Sequence, residues 1–153
     1  CTTRLKKSFH IRHFDRVAVN LYFTAMSTAV SNDIRITAEP RYERSQSDPR
    51  AARYLFSYRI TITNTGRDTV QLLHRHWFIR DSLSPMHEVD GPGVIGQTPV
   101  LRPGQEFTYR SACELRSAFG SMNGWYLMER TGDGYQFKVT IPEMQLGFPV
   151  AAN

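Results

Sequence analysis

The sequence predicts an all-β fold, a two-sheet antiparallel sandwich, and three observations carry that prediction. From residue 34 onward, apolar and polar residues alternate with a period of two. Gly, Pro, Asn and Asp punctuate the alternating runs at intervals suited to hairpins and short crossovers. No segment longer than about ten residues carries an apolar stripe at helical spacing.

Ile34-Arg35-Ile36-Thr37 opens the series. Phe56, Tyr58, Ile60 and Ile62 then alternate with Ser57, Arg59, Thr61 and Thr63, the pattern of a half-buried strand, and Asn64-Thr65-Gly66-Arg67-Asp68 supplies the turn that follows. Val70–Ser82 is apolar on both faces, with Val70, Leu72 and Phe78 on one and Leu73, Trp77 and Ile79 on the other. That predicts either a central strand or one whose buried face changes at a bulge. Phe107 and Tyr109 alternate after the turn Arg102-Pro103-Gly104, and Tyr135, Phe137, Val139 and Ile141 alternate after Gly132-Asp133-Gly134. Pro142 and Pro149 suit an edge or an extended exit. Seven or eight short strands of this kind make a sandwich. Alternation around Trp125 leaves two placements open, a core tryptophan like Trp77 or, with Phe119 and Tyr126, an exposed aromatic anchor.

A chain of 153 residues is one domain, long enough to fold without staples. Its 41% hydrophobic and 22% charged residues exclude wholesale disorder. Two cysteines, Cys1 and Cys113, make neither a disulfide framework nor a zinc site. The net charge of +5 is uneven. Residues 1–25 hold Arg4, Lys6, Lys7, Arg12 and Arg16 against Asp15, so the remaining residues are close to neutral and no nucleic-acid partner is expected. Residues 1–33 are expected to form a flexible N-terminal extension, with Met26 as a natural start, followed by a domain at 34–149 and a tail at 150–153. Val17–Ala25 has a faint signal-peptide outline, but Asn20 interrupts its short apolar run and no small-x-small cleavage site follows. No stretch approaches the length of a membrane span, and a cytoplasmic location is expected.

Gly91-Pro92-Gly93-Val94-Ile95-Gly96 spells GxGxxG. The dinucleotide-binding version must open a helix, which Pro99 and Pro103 forbid here. Two readings remain. The glycines shape a tight turn, or consecutive amides form an anion nest for pyrophosphate with Arg75, Arg80 and Arg102 as counter-charges.

Around this hexad the sequence resembles the ApaG family. The likeness runs through Gln71-Leu72-Leu73-His74-Arg75-His76-Trp77-Phe78-Ile79, Val89–Pro99, Leu101–Phe107, Ser111-Ala112-Cys113, Gly120–Gly124 and Ile141-Pro142. The resemblance implies an immunoglobulin-like or fibronectin-type-III-like sandwich. It further implies a pyrophosphate site at Gly91, Gly93 and Gly96, or an association with cobalt and magnesium efflux or with a neighbouring diadenosine tetraphosphate hydrolase. In eukaryotic members it implies protein recognition. His74 stands where other members usually carry a different polar residue.

His74 and His76 project from one face of a regular strand and, with His87, could hold a divalent cation such as cobalt. Magnesium would draw instead on Asp81, Glu88 and Asp90. Two histidines with no ligand are the simpler account. Ser111 and Cys113 have no base at a telling spacing, and Cys113 reads as a buried structural thiol. The expectation is therefore a non-catalytic binding or interaction sandwich without a cofactor. Its partner would be an unidentified protein, with a pyrophosphate-containing ligand or a homodimer through an edge strand as additions. The alternative is an accessory protein of cobalt and magnesium homeostasis.

Overall fold

The computed structural model describes residues 26–148, which form nine strands in two antiparallel sheets. The first sheet runs β1 (Ser27–Ser31), β2 (Ile34–Tyr42), β3 (Tyr54–Asn64), β7 (Glu106–Leu115). The second runs β5 (Ser84–Pro92), β4 (Val70–Asp81), β8 (Phe119–Arg130), β9 (Gln136–Gly147), and the two-residue β6 (Val100–Leu101) also pairs with β4. This is the two-sheet antiparallel sandwich expected from alternation, of the immunoglobulin-like and fibronectin-type-III-like kind that the family resemblance implies.

The N-terminal boundary differs from the expectation. Residues 27–33 belong to the first sheet, because Asn32 and Asp33 both take left-handed φ values of 49° and 59° and turn β1 back along β2. Ser31 Oγ accepts the Thr140 amide at 2.9 Å, and Asn32 Nδ2 donates to the Lys138 carbonyl at 2.9 Å. These bonds close one flank of the sandwich, β1 against β9. On the other flank, β5 and β7 are both free edges of their sheets. The basic residues before Met26, and the tail at 150–153, lie outside the described residues.

The predicted double-faced strand is both central and bulged. Its register against β8 shifts between Leu72 and His74, so Val70 and Leu72 face the core before the shift, and Trp77, Ile79 and Asp81 after it. That change of parity puts Arg75 on the inner side and sends His74, His76, Phe78 and Arg80 outward. The core closes around Ile36, Phe56, Ile60, Ile62, Leu72, Tyr126, Met128, Val139 and Ile141, all essentially inaccessible. Trp77 packs on Tyr58 with ring centroids 5.4 Å apart. Tyr109 from one sheet and Tyr126 from the other share a buried hydroxyl–hydroxyl bond, so neither polar group is stranded.

Candidate functional site

The glycine hexad bridges β5 and β6, which pair with successive stretches of the same β4 edge, and the β4 bulge is its anchorage. The Gly93 amide donates to the Leu73 carbonyl at 2.9 Å, and the Leu72 amide donates to the Pro99 carbonyl at 3.0 Å. Gln71 Nε2 reaches the Thr98 carbonyl at 3.1 Å, and Val94 is fully buried as an apolar plug. Val94 and Gln97 exchange both backbone hydrogen bonds, at 2.8 and 2.9 Å. Between them Ile95 and Gly96 take φ values of 44° and 75°, which is a two-residue type I′ turn. The amides of Gly93, Val94 and Gln97 are therefore satisfied internally, leaving those of Ile95 and Gly96 at the tip.

Of the three arginines expected around the hexad, only Arg75 is there. Its Nη1 donates to the carbonyls of Pro92 and Gly93, both at 2.9 Å, so it grips the turn by its acceptors. Gly91 makes room for this grip, since a Cβ there would lie 3.2–3.4 Å from the guanidinium. Arg80 is five residues further along β4, roughly 17 Å at strand spacing, on the outer face, and donates to Asn123 Oδ1 at 2.6 Å. Arg102 follows β6 in the next turn, where its amide donates to Gln105 Oε1 at 2.9 Å.

Gly93 and Gly96 differ in what a side chain would meet. At Gly93, φ is 60° and a Cβ would sit 2.2 Å from the Gln97 carbonyl oxygen. At Gly96, φ is 75° with nothing within 4 Å. Gly93→Ala is expected to cost at least about 2 kcal/mol and Gly96→Asn well under 1, because asparagine tolerates left-handed backbone and the space is open. Urea denaturation of the two variants checks the order.

His74 and His76 do share the outer face of β4, and each meets a carboxylate of β5. His76 Nε2 is 2.9 Å from Glu88 Oε2, and His74 Nε2 is 3.8 Å from Asp90 Oδ2. Alternation along β5 directs His87 to the opposite face. Asp81 lies at the far end of β4, turned inward. No group of three or more His, Cys, Asp or Glu side chains among the described residues is placed to hold a metal ion. Trp77 lies in the core, whereas Trp125 stands on the outer face. His76 stacks on its indole at 4.8 Å and 7°, and Lys138 Nζ lies 4.1 Å from its ring centre. Cys113 is half-buried on the inner side of β7, and burial, with the charges of Asp81 and Glu114, pushes its thiol up to about 11. A thiol held protonated is a poor nucleophile.

The profile described as ApaG domain matches residues 44–130. Protein ApaG of a Methylobacterium species is 44% identical over 124 residues, which is 81% of this chain and 95% of the relative. The chain belongs to the ApaG family. A crystal structure of a Bordetella pertussis protein described as ApaA is similar at a TM-score of 0.73 and 42% identity, covering 76% of this chain and 94% of the other. A second X-ray structure, a structural-genomics target, gives a TM-score of 0.71 at 36% identity over 82% and 94%. No described helix is long and apolar enough to cross a membrane.

Proposed function

We propose that this ApaG domain is a protein-recognition module that presents the Ile95-Gly96 tip and the adjoining β5 edge to a partner. The observation that carries the reading is Ile95 itself. A β-branched residue at φ 44° is strained, by about 1 kcal/mol or more, yet its side chain is half exposed and supports no core contact that would compensate. Strain retained on an exposed side chain, on a turn anchored by Arg75, Gln71 and the buried Val94, is the arrangement of a preorganised contact. Val89 on β5 is a second exposed apolar side chain, and the free edge offers backbone groups for strand addition. A pyrophosphate would find only two amides at the tip, with Arg75 already occupied.

Ile95→Asn separates contact from scaffold. It is expected to raise stability by about 1 kcal/mol in urea denaturation, since asparagine accepts this backbone, while weakening partner capture. A photo-crosslinking residue at 95 in source cells should give a discrete adduct, and one at Thr61, on the outer face of the first sheet, should not. Equal adducts at both positions, or no stability gain in Ile95→Asn, would sink the reading. So would calorimetric binding of pyrophosphate that Ile95→Asn leaves intact, which would return the site to an anion.

A further inference from the structure

At the opposite end of β5 a different surface is built. The β4–β5 turn carries Leu83, 74% exposed, and the start of β8 carries Phe119, 55% exposed. They are neighbours: the Ser82 amide donates to the Phe119 carbonyl at 3.2 Å, and Ser82 Oγ donates to Ser117 Oγ at 2.7 Å. Buried Asp81 ties both turns together, accepting the Arg116 amide at 2.6 Å, the Leu83 amide at 3.2 Å and the Ser117 hydroxyl. The apolar pair is thus held rigidly on two adjacent turns. Met86, half exposed on β5, extends it.

At this end of the sandwich Glu43 and Glu114 are paired with Arg41 and Arg53, and the exposed charges left without an ion pair, Asp48 apart, are cationic. Arg116 lies in the β7–β8 turn and Arg80 near the end of β4, and neither makes an ion pair among the described residues. Arg44 and Arg50, in the β2–β3 connection at the same end of the sandwich, are likewise without one. Two clefts among the described residues open at the other end, lined by residues such as Asp33, Asp68, Arg130 and Tyr135. Projecting apolar side chains ringed by arginines suit a soft interface with anionic headgroups, which needs no shape complementarity.

We propose that this end of the sandwich docks on an anionic lipid bilayer, with Leu83 and Phe119 entering the interface and Arg80 and Arg116 contacting headgroup phosphates. The surface is separate from the Ile95 tip, and the two proposals fail independently.

The test is co-sedimentation of the full chain with vesicles of phosphatidylcholine containing about 30% phosphatidylserine, against vesicles of phosphatidylcholine alone. The full chain is expected to partition onto the anionic vesicles, and Leu83→Asp with Phe119→Asp to reduce the partition coefficient at least about tenfold. Arg80→Glu with Arg116→Glu should remove most of the difference between the two vesicle types. All four side chains are exposed and circular dichroism should show each variant folded. The basic residues 1–25 are common to every variant, so anionic-vesicle binding that survives both double substitutions belongs to them and overturns the proposal. Absence of binding by the unsubstituted chain overturns it as well, and leaves the apolar pair to a protein partner.

Discussion

Gly124→Ala is expected to destroy the native fold or to remove at least about 3 kcal/mol of its stability, the largest loss expected from a Gly→Ala change among the described residues. Gly124 lies in β8 opposite Trp77, where the register of β8 against β9 shifts between Met122 and Gly124. The bulge brings β4 so close that a Cβ at 124 would sit 1.9 Å from the His76 carbonyl oxygen and 2.9 Å from its carbon. Both partners are backbone in the middle of a sheet, so neither can swing aside as a side-chain end would. Relief would require parting β4 from β8, the pair that carries Trp77, Ile79, Met122 and Tyr126 into the core. Gly132→Ala is the matched control. Nothing lies within 4 Å of a Cβ there, in the β8–β9 turn, and its effect should stay within about half a kcal/mol. Thermal and urea denaturation of the two variants decide the matter. A Gly124→Ala protein as stable as Gly132→Ala would mean that β4 and β8 are not packed as described.

Strands with one buried and one wet face were legible in the sequence because their apolar residues alternate, as Phe56–Ile62 and Phe137–Ile141 show. The bulge in β4 was legible for the related reason that Val70 and Leu72 fall out of phase with Trp77 and Ile79. Two strands left no such trace. β5, Ser84-Pro85-Met86-His87-Glu88-Val89-Asp90-Gly91-Pro92, is an edge strand exposed along nearly its whole length, so no apolar face had to be written into it. β1 alternates small half-buried residues, Ser27, Ala29 and Ser31, against exposed Thr28 and Val30, which inverts the usual signal. At the candidate site the glycines were visible as backbone devices, but the fate of their amides was not. That depends on Leu73 and Arg75 meeting the turn from β4, and on a parity change that sends Arg75 inward while its neighbours His74 and His76 point out. Ile95 escaped notice for a simpler reason: an isoleucine inside a glycine-rich hexad looks like filler until its φ is known.

Asp81→Asn is expected to lose about 3 kcal/mol at neutral pH, and the size of that loss should depend on pH in a defined sense. Burial alone would raise the pKa of Asp81, but the hydrogen bond from the Ser117 hydroxyl and those from the Arg116, Leu83 and Ser117 amides outweigh it and hold the carboxyl below its ordinary value. An asparagine in the same place turns an NH₂ toward one of these donors, leaving a buried donor facing a donor. A group held below its unfolded-chain value stabilises the fold fully above that value, near pH 4, and loses the contribution as pH falls through its folded value. The gap between the unsubstituted chain and Asp81→Asn should therefore be widest at neutral pH and shrink below about pH 4. Urea denaturation of both proteins across that range measures it directly. A gap that stayed constant down to pH values where the carboxyl is protonated would show that Asp81 acts through shape alone. The same network fixes the turns that present Leu83, Phe119 and Arg116. Where the carboxylate is lost, hydrogen exchange at the amides of Leu83 and Arg116 should accelerate before the core strands loosen, because those two amides have no other acceptor among the described residues.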